Sequence, residues 1–264
     1  MNTATVTFRL AGPQQAWSVQ QRRAHRPTQD HPTKSGVIGL IANALGRDRS
    51  DDISDLTALQ IGVRTDKPGT IETDYHTSGS GEFPLLPAEI LADPALTRAA
   101  AKGLRPDRAY AAPKNIGRDS KGTLVGKRDN AILTTDEYLA DAEFTIALTG
   151  HTDLVEQIAA ALTAPARSLY LGRRAYPLSK PPNPLLHPHD NPAAALGATA
   201  TGPTWIEEPP TREAHRNHNT HIVVDQPTRF DHRRYVGRLE TRHAPKETES
   251  TSNTTDFFTP EEHP

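Results

Sequence analysis

The chain has no cysteine, which excludes disulfides and thiolate metal sites and suits a reducing, cytoplasmic setting. Aromatic residues make up only 5% and methionine occurs once, so any core in these 264 residues is modest. No apolar run approaches the roughly 20 residues a membrane helix requires, and no membrane partner is expected. The start lacks a signal-peptide pattern, because Thr3–Leu10 is short, alternating and carries Arg9. Nucleotide hydrolysis is excluded as well: Thr28 and Thr33 stand where a Walker A motif ahead of Lys34-Ser35 requires glycine. The histidines His187, His189, His215, His218 and His221 lack the regular spacing of a zinc site, so no metal or other cofactor is expected.

What is present is proline, glycine and an uneven charge. The 23 prolines and 17 glycines announce many loops, although the length allows one large or two small domains. The net charge of −2 hides a split, with 18 Lys+Arg against 13 Asp+Glu in residues 1–128 and 12 against 19 in residues 129–264. A first half of net +5 beside a second half of net −7 points to a polyanion partner for the first. The basic surplus peaks between Arg98 and Arg128, where nine basic residues meet two acidic ones. A long basic excursion without regular patterning fits a nucleic-acid arm that includes Lys127 and Arg128, or else a solvated loop.

Regular elements alternate around this excursion. Thr5–Leu10 reads as a half-buried strand and Val37–Leu45 as a helix, with Thr33 or Ser35 as its cap and Gly46 as its left-handed terminator. This places a positive helix end, with Lys34 and Gly36, in solvent as an anion site. Gln60–Thr65 and Glu143–Leu148 alternate as strands. Thr152–Ala164 has helical spacing, with Asp153 and Glu156 resembling a capping box. Leu169–Leu171 reads as a short strand ahead of Gly172-Arg173-Arg174, and His221–Val224 with Arg233–Leu239 as a closing hairpin. The order gives an α+β fold: a ferredoxin-like (RRM-like) βαββαβ domain over 1–176 with a thumb insertion at 78–129. A small C-terminal β-rich region follows at 177–243, then a polar tail at 244–264 expected to be disordered.

Several side chains fit RNA. Trp17 and Tyr75 suit base stacking or ordinary core packing, and Arg22, Arg23 and Arg26 suit phosphates. His25, His31, Lys34, Tyr75 and His76 also suit general acid–base cleavage of RNA, so a metal-independent endoribonuclease stands as the alternative reading.

Five stretches in one order carry a resemblance. They are Leu10–Trp17 (LAGPQQAW), RPT at Arg26–Thr28 followed by PTKSGVIGL at Pro32–Leu40, Asp74–Thr77 (DYHT), Tyr138–Leu148 (YLADAEFTIAL) and Tyr170–Arg174 (YLGRR). The series resembles the CasD subunits of type I-E CRISPR Cascade, a family of the RAMP superfamily. The resemblance implies a non-catalytic subunit that binds the 5′ handle of the crRNA, caps the CasC backbone, contacts the large CasA subunit and meets target DNA only indirectly. Guide processing falls to a separate endoribonuclease in that family. The implied RNA surface comprises Trp17 to Arg26, Thr33, Lys34, Ser35, Gly36, Tyr75, His76, Gly172, Arg173 and Arg174, with no catalytic residue. Asp30-His31 and Asp136 depart from the family, whose members often carry an Arg-Phe pair and an Arg there.

Overall fold

The computed structural model describes residues 2–18, 24–78, 81–84, 115–118, 120–121, 124–128, 132–197, 202–231 and 234–244. Arg22, Arg23, most of the 78–129 insertion and nearly all of the 244–264 tail lie outside these residues. Lys127 and Arg128 sit on a described strand, but their side chains lie outside the description.

The chain begins with β1 (Thr3–Ala11), β2 (Gln14–Gln15), β3 (His25–Arg26), α1 (Lys34–Ala44), α2 (Ser54–Thr57), β4 (Gln60–Lys67) and β5 (Thr70–Ser78). Next come β6 (Gly81–Pro84), β7 (Asn115–Arg118), β8 (Leu124–Arg128), β9 (Ile132–Ala140), β10 (Glu143–His151) and α3 (Thr152–Thr163). The remainder is β11 (Leu185–His187), α4 (Pro192–Leu196), β12 (Thr204–Glu208), α5 (Arg212–Arg216), β13 (Thr220–Arg229) and β14 (Arg234–His243).

The described residues divide into two compact units. The larger, residues 1–19, 29–70 and 139–264, is built on one antiparallel sheet in the order β11-β1-β10-β4-β12-β14-β13. The register sets its layers. Val6 lies opposite Leu148, Phe8 opposite Ile146 and Leu10 opposite Phe144, with Ile61 and Val63 continuing the row on β4. All eight are buried, and α3 packs on β1 and β10 while α1 packs against α3. Ala147 points to the other face, where it clusters with Leu196 of α4 and Ile206 of β12. Burial on both faces explains why Thr5 and Thr7 of β1 are inside as well; Thr5 Oγ1 bonds Thr149 Oγ1 at 2.7 Å.

The smaller unit comprises residues 20–28 and 71–138. In it β5 pairs with β9, β3 runs parallel to β9, and β6-β8-β7 form a three-stranded sheet.

The structure corrects two local expectations and shows where the strands of residues 177–243 lie. Leu169–Leu171 is no strand: Tyr170 makes only an isolated bridge to Pro177, and β11 instead pairs with β1. Residues 177–243 supply β11 to β14, and these continue the main sheet. The Asp153 and Glu156 pair forms no capping bond, since His151 occupies the cap of α3 without a side-chain hydrogen bond.

Candidate nucleic-acid interface

Helix α1 begins as its sequence demands. Thr33 is extended (φ −77°, ψ 150°), and its hydroxyl accepts from the Gly36 N–H at 3.3 Å. Gly46 closes the helix with φ +76°. The expected solvent-facing anion site is corrected, however. The Lys34 N–H donates to Asp225 Oδ2 at 2.7 Å, so a protein carboxylate already occupies the positive helix end.

Lys34 itself is only 1% exposed. Its Nζ donates to Glu207 Oε1 at 2.7 Å, to Glu207 Oε2 at 2.9 Å and to Gln226 at 3.3 Å. Burial pushes this ammonium below the ordinary lysine range, and Glu207 opposes the shift. A Lys34 so held is a structural cation and not a phosphate contact.

The surroundings extend the network. Arg238 holds the fully buried Asp225 at 2.6 and 3.0 Å and also donates to Glu240. Glu240 in turn lies 3.2 Å from His31 Nε2, and Asp30 lies 2.6 Å from His31 Nδ1. The His31 ring stacks on Trp205 at 4.2 Å. In Asp30-His31 an exposed carboxylate thus holds a buried imidazole, which Glu240 meets from the inside.

Trp17 also belongs to the interior. It is 1% exposed, its Nε1 donates to Gln15 Oε1 at 3.2 Å, and its ring lies under α1. A Cβ on Gly36 would fall 2.7 Å from Trp17 Cε3, so this glycine makes room for the indole. Gly36→Ala is therefore expected to cost about 1–3 kcal/mol through overpacking. Urea unfolding measures it, and an unchanged midpoint would contradict the packing.

Four of the expected residues do converge. Ser35, Gly36, Gly172 and Arg174 line one cavity of about 590 Å³ along the outer side of α1. Gly172 is required where it stands: φ is +81°, and a Cβ would come 1.7 Å from the Ala16 carbonyl oxygen. The cavity gathers residues that sequence reasoning did not assign, namely Arg47, Arg49, Arg167, Tyr170, Phe230 and Tyr235. Four arginines face one aspartate, Asp48, a lining charge of +3.

The arginines differ in freedom. Arg47 grips Asp55 at 2.5 and 2.6 Å, holding that carboxyl below its usual range, and Arg167 donates to Asp48 at 2.7 Å. Arg49 and Arg174 are exposed and bond no other described residue. Tyr170 was visible in the YLGRR stretch, whereas Phe230 and Tyr235 come from the β13–β14 hairpin and carry no local signal. Arg173 does not line the cavity; it lies over the Tyr176 ring at 5.6 Å and donates to its hydroxyl at 3.1 Å.

The smaller unit holds Arg26, Tyr75 and His76. Tyr75 is 59% exposed on β5. Arg26 Nη1 donates to Asp136 Oδ2 at 3.2 Å, so this buried acid ties down the neighbouring cation. His76 lies 2.9 Å from Asp74 and 3.9 Å from the same Asp136. Among the described residues no group of histidines and acids is arranged to hold a metal ion.

The family model described as CRISPR-associated protein (Cas_Cas5) matches residues 5–261. The chain belongs to this Cas5 family. It is 36% identical over 177 residues to the CRISPR system Cascade subunit CasD of Escherichia coli (strain K12), covering 66% of this chain and 67% of the relative. A solved CRISPR RNA-guided surveillance complex contains a chain that matches with a TM-score of 0.60 and 28% identity, covering 91% of this chain and 90% of that one. A crystal structure of a Cas protein matches with a TM-score of 0.56 and 29% identity, over 92% and 96%. The family resemblance read from the five sequence stretches is thereby shown, as is a mixed α and β fold with antiparallel sheets.

Proposed function

We propose that this Cas5-family chain serves as the CasD-like subunit of a type I-E Cascade complex, binding the 5′ handle of the crRNA and capping the CasC backbone. CasA is the further protein partner in this reading, target DNA is met only through the complex, and the setting is the cytoplasm. The observation that carries the RNA role is the arginine-lined cavity, which unites Ser35, Gly36, Gly172 and Arg174. The strand order β11-β1-β10-β4, with α1 leading to β4 and α3 to β11, supports reading this part of the sheet as the ferredoxin-like βαββαβ unit. On that reading β11 (Leu185–His187) supplies the fourth strand, so the unit runs past residue 176, with 78–129 as a thumb across the guide. Among the described residues no helix is long and apolar enough to cross a membrane.

A non-catalytic role agrees with the state of His31 and Lys34. Both would have to exchange protons in an acid–base ribonuclease, yet each is buried between protein partners. Metal-free incubation with repeat RNA tests this, since a discrete cut abolished by His76→Ala would establish the enzyme instead.

Binding is tested by titrating the full chain with labelled handle RNA and with a scrambled RNA of equal length. Tighter binding of the handle is expected, and equal affinity would overturn the reading. Arg174→Ala is expected to lower the slope of log K against log salt by about one, as for a lost phosphate contact. An unchanged slope would remove Arg174 from the interface.

A further inference from the structure

The geometry points to the cavity beside α1 as a pocket for a single unstacked nucleotide of the bound RNA, walled by Phe230 and Tyr235 of the β13–β14 hairpin. This rests on the RNA reading above and adds to it a base-binding role for the C-terminal hairpin. Charge alone would make the groove a phosphate track, but three aromatic rings, Tyr170, Phe230 and Tyr235, line the same space as the arginines. Aromatic faces with free cations beside them are what an extruded base and its flanking phosphates require.

The floor is shaped for a flat group. At Gly39 an added Cβ would meet only Phe230 Cζ, at 3.8 Å, so the helix surface there is open and the ring is its nearest neighbour. The volume of about 590 Å³ lies within the roughly 300–1,000 Å³ range of small-ligand sites, room for one nucleotide rather than a stacked duplex. Arg49 and Arg174 are left for phosphates, whereas Arg47 and Arg167 are fixed by Asp55 and Asp48 as parts of the wall. Stacking reads any base by its π-face, so the pocket registers the presence of a base more than its identity.

The test uses the full chain with single-stranded handle RNAs carrying an abasic ribose at one position at a time. One position is expected to weaken binding by about 5- to 150-fold, the range for one lost base stack. Tyr235→Leu and Phe230→Leu keep apolar bulk, and in them the intact RNA is expected to bind more weakly while the abasic penalty at that position shrinks. Quenching of 2-aminopurine placed there, measured on the unaltered protein, checks stacking without any variant. A flat abasic profile, as a simple phosphate track or an acidic-peptide groove would give, overturns the pocket. So does a penalty left intact in both leucine variants. Handle and scrambled RNA binding equally would instead overturn the handle reading, and that result is separate from the abasic profile.

Discussion

Arg238→Met is expected to lower the stability of the larger unit by about 3–5 kcal/mol, the cost of stranding a buried counter-charge. Arg238 donates at 2.6 and 3.0 Å to Asp225 and at 2.5 Å to Glu240, and all three side chains are buried. Burial opposes the charge on Arg238, but the two carboxylates overcome it and hold the guanidinium protonated. Methionine fills much of the same volume, so the loss reports charge more than packing. The effect reaches α1 because Asp225 also accepts the Lys34 N–H, and an uncompensated Asp225 weakens the helix start. Urea unfolding followed by circular dichroism measures the change. A loss below about 1 kcal/mol would mean that the pair behaves like an exposed one. Replacing Asp225 and Arg238 together by apolar residues is expected to recover part of the loss, because Glu240 keeps His31 as its counter-charge and only the Lys34 N–H loses an acceptor.

That network explains what was legible in the sequence and what was not. The cap at Thr33, the left-handed Gly46 and the β13–β14 hairpin are local decisions, written in neighbouring residues, and each appears in the structure. The fate of the helix N-terminus was not local. Asp225 reaches Lys34 across 191 residues and Glu207 across 173, and no spacing rule near Pro32–Gly36 encodes either. Trp17 was ambiguous for the same reason, since its cover is the flat surface that Gly36 leaves on another element. Tyr75, equally open between stacking and core packing in the sequence, is exposed on β5. Part of the cavity was legible in Ser35-Gly36 and in Gly172 with Arg174. Its other walls come from Arg47, Arg49 and the hairpin, which only the closed sheet brings alongside α1. Three alternating residues at Leu169–Leu171 satisfied the strand pattern but had no free edge to join, because β11 holds the place beside β1.

The same network makes stability fall on the alkaline side. Burial lowers the His31 pKa, but the hydrogen bonds it donates to Asp30 and Glu240 outweigh this and raise the pKa from 6.5 to about 9. A raised folded value means that the contribution is complete below 6.5 and is lost as pH climbs through about 9. Its size is about 3 kcal/mol. The facing carboxylates act elsewhere. Asp30 is lowered by His31, and Glu240, although burial raises it, is brought below its ordinary value by His31 and Arg238. Their contributions are present above the free carboxyl range and disappear only in acid. Lys34 works against the alkaline loss, because a depressed lysine in the folded state regains stability as pH rises toward its free value. The His31 effect is therefore isolated by difference: the stability gap between the parent chain and His31→Gln, from urea titrations between pH 6 and 10, is expected to close by about 3 kcal/mol as pH rises. Parallel curves across that range would show that His31 does not carry the charge that Asp30 and Glu240 are placed to hold.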